Sequence, residues 1–225
     1  YSLVVSAVAV GWSGYAVGFL RGLGIELPQA LTVGMHAGGL INLPAVAIIA
    51  VVAGLLALGT RESATLNAVL VVIKLTALLI FIAVALPHFD TAHFEPFMPY
   101  GFTKHAEGGT ERGVMAAAAI IFFAFYGFDA IATAAEETKN PRRDLSIGIV
   151  GSMIACTAVY VAVAAVAVGA LDFTRYAASP EPLALILREI GQGRVAGMVA
   201  GAAVVALPTV LLAFLYGQSR IFFVM

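Results

Sequence analysis

The chain has 225 residues, of which 61% are hydrophobic and 11% charged, with a formal net charge of −1 and a mean hydropathy of +1.00. Soluble domains carry about 25% charged residues, so this composition excludes a soluble globular fold and reads as an all-α integral membrane protein in a lipid bilayer. No basic stripe offers nucleic acid a footprint, and the single cysteine, Cys156, provides neither an internal disulfide nor a cysteine metal site.

A bilayer core about 30 Å thick needs about 20 apolar residues per helix. Six segments of one transmembrane domain (1–225) meet that demand: about 1–20, 41–59 with Pro44 in its first turn, 64–86 stopped by Pro87, 113–137, 146–170, and 195–219 or beyond. The first run, "YSLVVSAVAVGWSGY", has no initiator Met or cleavable signal peptide ahead of it, and the last, "LLAFLYGQSRIFFVM", is still apolar where the sequence stops. The expectation is an internal piece of a longer membrane protein. Short connections ("GTRES" and a basic turn) alternate with long ones at 21–40, 87–112 and 171–194, as two sides of a membrane require. The dense basic turn "KNPRR" puts the short loops on the cytoplasmic side, while Asp90, Glu95, Glu107 and Glu111 make the 87–112 loop acidic. His88 and His93 in "HFDTAH" read as solvated loop residues rather than a metal pair, so no metal or other cofactor is expected.

The fourth segment contains the most informative residues. Gly127 sits two positions before Asp129 in an otherwise apolar run. Glycine weakens a helix, and a carboxylate at membrane depth is costly. Together they make sense where the helix unwinds beside a water-filled cavity, leaving backbone carbonyls and amides for a ligand. Asp129, Thr133 and Glu136 then follow at i, i+4 and i+7 on one face of a new half-helix, with Asp129 near its N-terminus. A packing glycine with a structurally paired acid is the alternative.

Lys74 is the second such residue. It stands eight to ten positions into its helix, roughly 12–15 Å deep, flanked by Val72, Ile73 and Leu75. Its stem is too short to snorkel out, and a charge there costs at least ~2.5–3.5 kcal/mol. Desolvation disfavours the charged form of an amine, which suits a group that exchanges protons. Structural pairing, with Asp129 or a helix-end carbonyl, is the alternative. A retinal Schiff-base lysine would need an acidic counter-ion and a compact seven-helix bundle, and the broken-helix signature argues against it; a receptor or scaffold module, which would bind a ligand without transport, is a further alternative.

"FFAFYGFDAIATAAEETKNPRRDLSIGI" resembles the sixth transmembrane segment and following loop of the amino acid–polyamine–organocation superfamily, closest in type to the bacterial relatives of cationic amino acid transporters. "LLALGTRESATLNAVLVVIKLTALLIFI" resembles that superfamily's helices four and five, and "TVLLAFLYGQSRIFFVM" its helix eight. The resemblance implies helices three to eight of a five-plus-five inverted repeat with a discontinuous sixth helix. By position, carbonyls around Phe123, Ala124 and Tyr126 would receive a substrate's α-ammonium group, Phe123 would lie over the site as a lid, and Phe214 would face the side-chain pocket. Lys74 matches a lysine that stands in for the sodium ion of sodium-coupled relatives. Asp129 matches an acid that senses protons in some relatives, and "AEETKNPRRD", with Glu136, matches a signature near the cytoplasmic gate. The implied function is transport of amino acids across the cytoplasmic membrane, coupled to protons, with small neutral substrates favoured because Phe214 cannot solvate a distal charge. A cationic amino acid or polyamine permease, or an exchanger or facilitator, is the alternative. No nucleophile–base pair or phosphate loop stands out, so no enzymatic activity is expected.

Overall fold

A chain this apolar must close its backbone hydrogen bonds within each segment, and helices do so. The computed structural model describes residues 1–35, 38–58, 64–107, 110–125, 127, 140–177 and 179–224, the side chains at 64–67, 107, 110, 123, 141–142 and 220–224 excepted. Among them the order is α1 (Ser2–Gly22), α2 (Leu43–Ala57), α3 (Ala64–Ala85), β1 (His105–Glu107), β2 (Thr110–Arg112), α4 (Val114–Ile121), α5 (Pro141–Ala170), α6 (Phe173–Tyr176), α7 (Pro182–Glu189), α8 (Gly193–Ala206) and α9 (Pro208–Val224). By length and apolar composition four stretches are able to cross a membrane: Ser2–Gly22, Ala68–His88, Arg143–Ala170, and Gly193–Ser219, which takes in α8 and most of α9. The 15 residues of α2 reach only about 22 Å.

Local chemistry sets the boundaries. Asn42 caps α2, its side-chain oxygen accepting from the Ala45 amide at 3.1 Å, with Pro44 in the first turn. Pro87 turns the end of α3 into a 3-10 turn over Leu86–His88. Pro141 opens α5, with Asp144 in its first turn. Asp172 opens α6 and accepts from the hydroxyl and the amide of Thr174, which holds its carboxyl below the usual carboxylate range.

The described residues are helical as expected, and a short hairpin is added in a connection. In the 87–112 connection β1 pairs antiparallel with β2, His105 opposite Arg112. Lys104 and Glu111 form an ion pair at 2.6 Å, and the Arg112 guanidinium lies 4.4 Å from the centre of the Tyr100 ring. Three-residue strands held by cross-strand pairs leave no helical periodicity to detect.

Apolar side chains face lipid as readily as they face the core, so helix contacts depend on close approach. α1 lies against α2, α8 and α9, while α3 lies against α5 and α8. One cluster joins Val5 and Ala9 of α1 and Val52 of α2 to Leu211 and Phe214 of α9. The other gathers Phe81 of α3, Ala167 of α5 and Ala200 of α8 around Ile186 and Leu187 of α7, docking the 171–194 connection onto the bundle.

Two glycines one turn apart make that docking fit α1. A Cβ at Gly14 would lie 2.7 Å from the Pro180 Cβ, and one at Gly18 would run into the Glu181 carboxylate. Glu181 is buried and takes a bidentate pair from Arg188, at 2.5 and 3.2 Å. Gly14→Ala is expected to destabilise the protein by about 1–3 kcal/mol through overpacking. Gly11→Ala, where an added Cβ meets nothing within 4 Å, is expected to be neutral or better. Thermal unfolding of the detergent-purified protein checks the pair, and equal losses at both positions would contradict the packing account.

Candidate functional site

α4 ends at Ile121, and the chain tightens into a 3-10 turn over Phe122–Phe125. Gly127 then adopts φ +119°, a conformation outside the helix that L side chains rarely take. An added Cβ would lie 3.1 Å from Cζ of Phe214, close enough that the ring would have to shift by a few tenths of an ångström. The spacing "FFAFYG" therefore encodes a loss of α-helical ladder on the approach to the glycine and a ring seated on it.

Phe214 comes from α9 and is only 9% exposed. Val5, Ala9 and Leu211 share its apolar cluster, and its ring centre is 5.6 Å from that of Tyr1. On the other side of the turn, the Tyr160 hydroxyl of α5 donates to the Ala124 carbonyl at 3.3 Å, and the Tyr160 ring meets Phe125 edge-on at 5.4 Å. The Ala124 carbonyl thus has the Tyr160 hydroxyl as a partner.

Lys74 is half-buried on α3 and donates from Nζ to Oγ1 of Thr209 at 2.6 Å. Thr209 is buried and its hydroxyl donates to the Ala206 carbonyl at 2.8 Å. It follows Pro208 at the junction where α8 hands over to α9. Thr209 and Phe214 are five residues apart on α9, about 7.5 Å along its axis. One helix therefore carries both the partner of the lysine and the ring on Gly127.

Of the residues singled out from sequence, Gly127 and Phe214 are brought together, Ala124 lies in the turn beside them, and Lys74 is a separate centre joined to them through α9. The backbone of Phe123 belongs to the same turn. Tyr126, Asp129 and Glu136 lie outside the described residues. Sequence reasoning missed Thr209, Trp12 and Tyr160. A proline within an apolar run, followed by threonine, was the available signal for Thr209, because serine and threonine re-satisfy backbone freed by proline in membranes. His93 is tied to the end of α5: its Nδ1 lies 2.8 Å from the Gly169 carbonyl and donates to it in the tautomer protonated there. Among the described residues no three His, Cys, Asp or Glu side chains cluster as a metal site.

A family described as amino acid permease matches residues 1–225. The branched-chain amino acid permease BcaP of Bacillus subtilis is 46% identical over 229 residues, covering 100% of this chain and 47% of that protein. The methylthioribose transporter of Bacillus subtilis is 37% identical over 227 residues, covering 100% of this chain and 47% of that protein. Cationic amino acid transporter 9, chloroplastic, of Arabidopsis thaliana is 33% identical over 228 residues, covering 99% of this chain and 38% of that protein. The chain spans about half the length, or less, of these curated relatives.

Gly127→Ala forces a positive φ on a residue with a Cβ and pushes that Cβ against Phe214. A destabilisation of about 1–3 kcal/mol is expected, and Phe214→Leu added to it recovers the packing part but not the backbone part. Thermal unfolding of the single and double variants checks both. A Gly127→Ala protein as stable as the parent would show that the backbone there is not held at positive φ.

Proposed function

Because the chain belongs to the amino acid permease family, we propose that it supplies helices three to eight of a five-plus-five inverted-repeat transporter, within a single transmembrane domain of the full-length protein. That protein carries out proton-coupled secondary active transport of amino acids across the cytoplasmic membrane, and favours small neutral substrates. The observation that carries the reading is the seating of Phe214 on Gly127 by a helix that also holds Thr209 against Lys74.

In this mechanism, the interrupted helix binds the invariant part of the substrate. Backbone carbonyls at Phe123, Ala124 and Tyr126 accept from the α-ammonium group, and Phe123 covers it. Phe214 bounds the side-chain space. Its apolar surroundings favour an aliphatic group, since a buried guanidinium or ammonium without partners is expensive. The Bacillus relative named for branched-chain amino acids supports a neutral substrate. A cationic substrate is the second reading, favoured by the name of the Arabidopsis relative. Lys74 supplies, from α3, the positive charge that a sodium ion would otherwise bring, and it exchanges its proton during the cycle. Asp129 and Glu136 gate the cytoplasmic path. No covalent step is involved.

In proteoliposomes, Lys74→Ala in the full-length protein is expected to lose proton-driven accumulation. Lys74→Arg is expected not to restore it, because a guanidinium barely deprotonates. Accumulation by the alanine variant equal to the parent at equal incorporation would overturn the coupling role. For specificity, uptake of alanine, a branched-chain amino acid, arginine and methylthioribose is measured. Arginine is expected to compete poorly with alanine in the parent and better in Phe214→Ser. Strong arginine competition in the parent, unchanged by the substitution, would favour the cationic reading.

A further inference from the structure

Pro208 lacks the amide that would close the helix ladder onto the Val204 carbonyl, four residues back. Val204 lies well inside the Gly193–Ser219 stretch, where lipid offers no water to satisfy a free oxygen. Another helix satisfies it. Trp12 of α1, the chain's single tryptophan, donates its indole N–H to the Val204 carbonyl at 2.9 Å. An indole is a donor with no acceptor function, so it suits one orphaned carbonyl and nothing else. Two residues on, the Ala206 carbonyl takes the Thr209 hydroxyl, and Thr209 in turn accepts from Lys74.

We infer that Trp12 is a positioning residue for Lys74: by holding the Val204 carbonyl it fixes the α8–α9 junction at Leu207–Pro208, and the junction places the Thr209 hydroxyl within reach of the lysine. This rests on the proposed coupling role of Lys74. It extends that role to a residue 62 positions away in sequence, on a helix that carries none of the other proposed site residues. The hydrogen bond ties α1 to the α8–α9 junction from the side of α8, while Lys74 ties α3 to it from the side of α9.

The test uses the full-length protein and two readouts. The first is the ratio of uptake with an inward proton gradient to uptake without one. Trp12→Phe keeps an aromatic ring and removes only the donor, and the ratio is expected to fall roughly three- to tenfold, as one lost hydrogen bond permits. Thr209→Val is expected to lower the ratio as well, and the double variant to fall no further than the worse single one. The second readout is thermal stability. Trp12→Phe is expected to lower the melting temperature in the parent but not in Pro208→Ala, where residue 208 again has an amide for the Val204 carbonyl. A ring that mattered only for packing would show the same loss in both backgrounds, and that result would overturn the inference. A parental ratio in Trp12→Phe alongside loss in Lys74→Ala and Thr209→Val would also overturn it while leaving the coupling role of Lys74 intact. A parental ratio in all three would remove the coupling role and this inference with it.

Discussion

In the hydrocarbon of a bilayer a carbonyl without a donor has nowhere to turn, and the described part of this chain is organised around two places where the helical ladder fails. At Pro208 the failure is repaired: the Val204 carbonyl takes the Trp12 indole and the Ala206 carbonyl takes the Thr209 hydroxyl. Before Gly127 the α-helix ends at Ile121, a 3-10 turn follows, and the Tyr160 hydroxyl of α5 donates to the Ala124 carbonyl.

α9 connects them. It begins at Pro208, carries Thr209 to Lys74, and five residues later presents Phe214 to Gly127. Any tilt of α9 that changes the Lys74 contact also moves the ring on Gly127, because a helix transmits displacement along its length. This shared helix is the physical basis for the proposed link between proton exchange at Lys74 and substrate binding at the turn. Just beyond Trp12 on α1, Pro180 and Glu181 lie against Gly14 and Gly18, so the 171–194 connection is seated on the same helix that provides Trp12.

What was legible in the sequence follows the same physics. Lys74 stood out because a charge in an apolar run is costly, and Gly127 because glycine beside an acid is out of place in a lipid-facing helix. The partners of these residues were not legible. Thr209 lies 135 positions from Lys74, Trp12 lies 192 from Val204, and short-range spacing says nothing about either pairing. Facing direction was equally hidden. Leu3 is 83% exposed while its neighbours Val4 and Val5 are buried, and lipid and core select the same residue types at such positions. For that reason the placement of Phe214 against Gly127 needed three dimensions. The hairpin and α7 were missed because three and eight residues are too few to establish a period.

In the proposed mechanism an amino acid binds at the interrupted helix, with its ammonium group on the backbone and its side chain against Phe214. The most direct test is a high-resolution cryo-electron microscopy map of the full-length protein with a neutral amino acid bound. Ligand density is expected with the ammonium group within hydrogen-bonding distance of carbonyls at Phe123, Ala124 or Tyr126, and with aliphatic carbons in contact with the Phe214 ring. Ligand density elsewhere, or a continuous α-helical ladder through residues 118–134 with Phe214 turned to lipid, would contradict it.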